Sequence, residues 1–252
     1  MRLIINADDY AITHGVSSSI ISLFEAGAVS TTSVIIVCGG AERDCQQLIK
    51  SGFISRAGVH LQTTGKNFKP ILNADKVPSL VDSKGYFLAQ ADPETTNLEE
   101  LALEWEAQIN LAYDLFGVKP NHMDTHYHVH MQSIFTPIFL KLADKYSLPV
   151  RGGFNPSLKQ GLSIKHTGPV DDRWSGQELD IYELKKNILE SLEKSEGGIA
   201  EMVVHPGASD KELENISSWT IVRENDYKCL LELAQTGWFA ENNIQLVTHS
   251  EL

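Results

Sequence analysis

Short apolar runs rich in β-branched residues alternate along this chain with longer stretches whose apolar positions recur every three or four residues. The first pattern fits strands buried on both faces, the second amphipathic helices. "RLIIN" (2–6) predicts a strand and "GVSSSIISLFEAGA" (15–28) a helix. "TSVIIV" (32–37) predicts a second strand, "AERDCQQLIKSG" (41–52) a helix and "RAGVHL" (56–61) a third strand. Residues 62–97 have weak periodicity and many turn formers, so a long excursion is expected there. "LEELALEWEAQINLAYDLFG" (98–117) is the clearest helix. Leu98, Leu101, Trp105, Ile109, Ala112, Leu115 and Phe116 recur at helical spacing, and Gly117 supplies a stop. A fourth strand is expected at "PNHMDTH" (120–126), then a helix over 131–146, a fifth strand at "LPVRG" (148–152) and a loop over 153–176. A helix over 177–195, the strand "AEMVVH" (200–205), a helix over 219–236 and the strand "IQLVTH" (244–249) complete the series.

Strand–helix alternation of this kind predicts an α/β fold, a parallel sheet with crossover helices. About seven parallel strands suit a distorted or incomplete (β/α) barrel, with a doubly wound open sheet as the alternative. No linker or internal repeat divides the chain, so residues 1–252 are expected to form a single domain. The net charge of −12 argues against nucleic acid and against an anionic membrane surface as partners. No run approaches the roughly 20 apolar residues of a membrane span, and the N-terminus lacks a signal-peptide core. A cytoplasmic location is therefore expected. Cys38, Cys45 and Cys229 form no CxxC and read as reduced packing thiols.

The polar residues that carry chemistry gather where such a fold puts its site, beyond the C-terminal ends of the strands. Asp8 and Asp9 follow the first strand, and His60 ends the third. Asp124 and His126 end the fourth, Arg151 the fifth and His205 the sixth. Singly, each has a bland reading: Asp9 as a helix cap, His60 as a core histidine, His205 as a turn residue before Pro206 and Gly207. Five strand ends each presenting an acid, a base or a ligand make one shared site the better reading. His14, His166 and His249 lack such neighbours and read as surface or structural.

"HMDTHYHVHM" (122–131) places His122, Asp124, His126, His128 and His130 on even positions. Period two would set them on one face of a strand. An extended run of that length covers roughly 26 Å at about 3.3 Å per residue. A metal ion reaches imidazole nitrogens at about 2.0–2.1 Å, so one or two of these residues at most ligate one ion. The strand is expected to end near residue 126, with His122 deeper and His128 and His130 lining the mouth or holding neighbours. His60, one histidine of the cluster and one carboxylate of the Asp8–Asp9 pair then make a two-histidine, one-carboxylate set with open positions for water and substrate. The other aspartate is free to act as general base and His205 as general acid. Such ligands suit zinc, iron, cobalt or manganese better than magnesium, which favours oxygen.

Together these motifs resemble the YdjC-like carbohydrate deacetylase family, whose chitooligosaccharide deacetylases remove an acetyl group from N-acetylglucosamine units. The matching segments are "NADDY" (6–10), "GVHL" followed by "TTGK" (58–66), "KPNHMDTHYHVHM" (119–131), "PVRGG" (149–153) and "VVHPG" (203–207), in family order. The resemblance implies a barrel related to polysaccharide deacetylases and a divalent metal, magnesium on the family's record. It implies His60 and His126 as the metal histidines, His205 as the general acid and Arg151 as a residue orienting the base. In the related polysaccharide deacetylases the first aspartate of the pair is the base and the second a ligand, which implies Asp8 and Asp9 in those roles. In the YdjC-like family the second has also been regarded as the catalytic one. Asp124 and His128 join Arg151 as supporting or substrate contacts. Two positions depart from the family pattern: Thr125 stands where serine is usual, and Tyr127 where histidine or glutamine is usual. Tyr127 bears on which sugar fits. Trp174 in "DDRW" (171–174) is either a sugar platform or a core tryptophan.

The leading expectation is metal-dependent hydrolysis of the acetamide of N-acetylated (chito)oligosaccharides, with a small carbohydrate as partner and a homodimer left open. A metal-dependent sugar isomerase or phosphosugar hydrolase on a similar barrel would need a phosphate loop, for which "RGGFN" (151–155) is the weak candidate. A non-catalytic metal- or carbohydrate-binding protein would not need a paired acid and base.

Overall fold

β1 (Arg2–Tyr10) is buried from Leu3 to Tyr10, because strands flank it on both edges and helices cover it. A computed structural model describes every residue except 66, 160 and 175–179. After β1 come α1 (His14–Glu25), β2 (Thr31–Val34), α2 (Ala41–Lys50), β3 (Ala57–Leu61), α3 (Leu98–Phe116), β4 (Met123–Thr125) and α4 (Thr136–Tyr146). β5 (Val170–Asp171), α5 (Ile181–Lys194), β6 (Ile199–Val204), α6 (Lys211–Ile216), α7 (Ile221–Gln235), α8 (Trp238–Glu241) and β7 (Gln245–Leu246) follow. Lys66 of "TTGK" and residues 177–179, where the fifth helix was expected to begin, lie outside the described residues.

The strands run in the order β4-β3-β2-β1-β6-β5, all parallel, and β7 joins β1 at Arg2 and Leu3. Beyond β4 the ladder thins to single bridges, Met123 with Val150 and Val150 with His166. The sheet therefore curls round as an incomplete barrel whose weakest side is at Val150. "LPVRG" is thus a single bridged residue and not a strand. Pro149 has no amide to donate. Gly152 passes so close to the next segment that a Cβ on it would lie 2.0 Å from the Thr167 carbonyl oxygen. The missing strand is β5, two residues inside the expected loop, too short to leave a periodic signal.

α3 starts on Asn97, whose Oδ1 accepts from the amides of Glu99 and Glu100, and stops at left-handed Gly117. Leu101, Trp105, Ile109, Ala112 and Phe116 are buried as its stripe predicts, whereas Leu98 is exposed. Each such side chain removed from water stabilises the fold by roughly 1.5–3 kcal/mol. Two polar residues of the same helix are buried as well. Gln108 brackets the backbone of Gln62, and Glu104 accepts from the amides of Ile71 and Leu72. Trp105 Nε1 donates to Thr63. The excursion over 62–97 is thereby tied to the barrel. No disulfide joins Cys38, Cys45 or Cys229. Among the described residues no helix is long and apolar enough to cross a membrane.

Candidate active site

The end of β1 does something a regular strand cannot. Successive strand residues point to opposite faces, yet Asp8 and Asp9 both reach one side chain, His60. Ala7 pairs with Thr32 and Tyr10 with Val34, so β1 carries one extra residue there, a β-bulge. Asp9 takes the strain with φ 68°, a region that aspartate tolerates better than most residues. The aspartates therefore lie within β1 and not after it, and the bulge turns both toward the cavity.

Asp9 Oδ1 lies 3.3 Å from His60 Nε2 and 3.0 Å from His126 Nδ1. It is buried without a hydrogen bond of acceptable geometry among the described residues. Asp9 Oδ2 accepts from Arg223 Nη2 at 2.5 Å. His60 Nδ1 donates to Asp124 Oδ1 at 2.7 Å, which leaves the Nε2 lone pair toward Asp9. Three electron-rich atoms thus converge on one point, and a proton or a cation must sit among them. Burial lowers the His60 pKa, but the carboxylates of Asp124 and Asp8 outweigh it and push it up to about 10. A field that holds a proton this tightly also favours a dication. Burial works against the Asp9 carboxylate, yet His126 and Arg223 hold it well below the usual range. The residues present fit a divalent ion, and Asp9, His60 and His126 form a cluster of ligand spacing.

Asp8 is held differently. Arg151 donates to both of its oxygens, at 2.8 and 2.6 Å. Burial would raise this carboxyl, but the guanidinium and then His60 drive it far below the usual carboxylate range. Arg151 Nη2 is also 2.8 Å from Asp124 Oδ2, and its Nε donates to Glu201 at 2.8 Å. One fully buried guanidinium therefore fixes Asp8 and the partner of His60 together. His205 Nε2 faces Asp8 Oδ2 at 4.0 Å. Burial pulls the His205 pKa down to about 4, with Asp9 and Asp8 opposing. Trp219 packs edge-on against its ring at 5.0 Å.

A cavity of about 630 Å³ opens over Asp8, Asp9, His60, His126, His128 and His205, a size usual for small-molecule sites. Asp124 and Arg151 lie beneath its floor, fully buried. The even-numbered histidines do not share one strand face. β4 ends at Thr125 and the chain turns at Tyr127 and His128, both with positive φ. His122 is sealed in the floor, stacked on His249 at 3.7 Å. His130 is bound to Thr125 and stacked on Phe139, so it holds the turn and does not line the mouth. Trp174 is wholly buried in the core, so its face is not offered to the cavity. Several charged residues escaped the sequence reading, Arg223 and Glu201 among them. Arg223 comes from α7 and Glu201 from β6, and each is buried against an acid or base of the site.

The family model described as YdjC-like protein matches residues 2–241. The chain belongs to the YdjC-like family. The carbohydrate deacetylase of Thermoanaerobacter pseudethanolicus is 33% identical over 256 residues, covering 99% of this chain and 98% of that one. The chitooligosaccharide deacetylase of Yersinia enterocolitica is 33% identical over 219 residues, 83% of each chain. The solved structure of an Enterococcus faecalis V583 protein, named as a candidate cellobiose-phosphate cleavage protein, superposes with TM-score 0.90 at 30% identity over 99% of this chain and 98% of that one. The Bc1960 peptidoglycan N-acetylglucosamine deacetylase shares the fold alone, with TM-score 0.55 at 10% identity over 98% of this chain and 85% of that one. The incomplete barrel is thus a fold that this deacetylase shares.

Proposed function

We propose that this protein is a metal-dependent hydrolase that removes the N-acetyl group from N-acetylated oligosaccharides of the chitooligosaccharide class and releases acetate. Relatives named carbohydrate deacetylase over nearly the whole chain make it an enzyme of that class. The observation that carries the metal is Asp9 Oδ1, a buried carboxylate oxygen without a hydrogen bond among the described residues, facing two imidazole nitrogens. Asp9, His60 and His126 would hold the ion, with Asp124 orienting His60. A divalent cation supplies Lewis acidity toward an amide carbonyl and toward water. Two imidazoles and one carboxylate suit zinc, iron, cobalt or manganese better than magnesium.

Asp8 is the base in this reading. Arg151 keeps it ionised and fixes both oxygens, so it is present as a carboxylate whenever water must lose a proton. His205 stands across from it as the acid. Burial leaves the His205 ring neutral at rest, so the proton it passes to the departing amine is the one that Asp8, 4.0 Å away, takes from water. A phosphosugar reading finds less support. The Gly152 amide of the "RGGFN" segment already donates to Thr167 Oγ1, and Arg223 at the cavity is paired with Asp9.

Mass spectrometry of small N-acetylated sugars incubated with the purified protein tests this. N,N′-diacetylchitobiose is expected to lose an acetyl group, and chelation is expected to stop the loss. Intact sugars throughout would sink the activity, and undiminished release after chelation would sink the metal.

A further inference from the structure

We infer that Tyr127 is a sugar-stacking platform between the cavity over Asp9 and a second, neutral-sugar subsite, so that this chain selects oligosaccharides over single sugars. The inference rests on the deacetylase reading for which sugar reacts.

Tyr127 stands where the chain leaves β4. Its φ of 55° and the 52° of His128 put two consecutive bulky residues in the left-handed region. Such conformations persist where the surroundings impose them, and they cluster at ligand contacts. The clamp here is Thr125, whose Oγ1 accepts from the His130 amide at 3.0 Å and pairs with its Nδ1 at 2.7 Å. The result is a tyrosine side chain left 71% exposed, with its ring centroid only 4.1 Å from that of His126. Tyrosine offers a large rigid face with a polar tip and loses little conformational freedom on contact.

The ring stands between two hollows. Tyr127 lines both the cavity over Asp9 and a neighbouring hollow of about 590 Å³. The two otherwise abut through chain neighbours: Gly65 and His128 line the first, Thr64 and Val129 the second. The second hollow sets Thr64, Gln90 and Gln132 beside Ala89, Ala91 and Pro93. Hydrogen-bonding edges next to small apolar faces match a pyranose, which has hydroxyls around its rim and C–H groups on its faces. No described residue lining this hollow carries a charge, which favours a neutral sugar over a phosphorylated or acidic one.

Titration calorimetry of the full chain, chelated so that the sugar is not turned over, tests the subsite with N-acetylglucosamine and N,N′-diacetylchitobiose. The disaccharide is expected to bind about tenfold more tightly than the monosaccharide, and Tyr127→Ala to shrink that ratio to about threefold or less. Tyr127→Phe should keep the wild-type ratio, since stacking does not use the hydroxyl. Equal affinities in the wild type, no measurable binding of either sugar, or an unchanged ratio in Tyr127→Ala overturns the inference. Acetate release by the unchelated protein is read separately. Release without selective binding leaves the deacetylase reading standing and removes the subsite, and selective binding without release does the reverse.

Discussion

Two pairs of histidines from one ten-residue stretch meet opposite fates. His126 and His128 face the cavity. His122 and His130 are sealed away from it at 0% exposure. His122 is pressed against Gly58, where a Cβ would stand 2.4 Å from its Cε1, and it lies flat on His249. His130 has both nitrogens engaged. The Gly152 carbonyl at 3.3 Å can only accept, so Nε2 carries the proton and Nδ1 accepts from the Thr125 hydroxyl. The side chain is the same in all four, so its chemistry does not divide them. The backbone does, by leaving the strand at Thr125 and passing through two left-handed residues. The mouth pair faces the cavity, whereas His130 holds the turn and His122 fills the floor against His249.

Substitution should split the pairs most sharply. His126→Ala is expected to lower acetate release by at least about 100-fold, with an unfolding midpoint close to wild type, because a ligand and not a packing group is lost. His130→Ala is expected to do the reverse. It empties a buried ring position and orphans Thr125, and should cost about 2–4 kcal/mol of stability by denaturant unfolding. If His126→Ala unfolds as readily as His130→Ala while keeping turnover, the division between mouth and wall is wrong.

A smaller effect is expected one step behind the mouth. Asp124 does not itself line the cavity, but it fixes the His60 tautomer and leans on Arg151. Asp124→Asn keeps the shape and loses the charge, so metal affinity or turnover should fall by about 10–100-fold. Metal titration followed by fluorescence or calorimetry is the decisive readout, since a purely packing role for Asp124 would leave metal affinity untouched.

Much of this was legible in the residues and some was not. The long helices announced themselves, and α3 came out one residue from its expected end because its stripe and Gly117 agree. Asp8, Asp9, His60, His126, Arg151 and His205 lie together, although Asp8 and Asp9 sit inside β1 and Arg151 follows a single bridged residue instead of ending a strand. The β-bulge at Asp8 and Asp9 was invisible, since a single extra residue changes the pairing and not the composition. Arg223 was hidden for another reason. Arginine on a helix ordinarily marks the solvated face, and nothing in the period of α7 shows that this one is turned inward at 2% exposure. Glu201 did leave a signal. A carboxylate inside the apolar run of β6, buried on both faces, must be paired. Arg151 and Thr167 are its partners.

The weakest expected effect probes the floor through pH. Burial, followed by the neighbouring His249, holds the His122 pKa well below the ordinary 6.5. The folded chain therefore keeps this ring neutral while the unfolded chain protonates it once the pH drops below 6.5. Stability is full above that value and is lost as pH falls toward the folded-state pKa, by at most about 1.4 kcal/mol per pH unit for one proton. His130, His128 and His205 tilt the same way, being depressed by burial too. The buried carboxylates, depressed below 3.8, add their slope only at lower pH. His122→Phe keeps a ring on His249 and removes the titration. Its stability curve should be shallower than wild type between about pH 6.5 and 5, by up to about 1.4 kcal/mol per unit. Parallel curves in that window would mean that the floor histidine is charged in the folded protein and that the two pairs differ less than their burial implies.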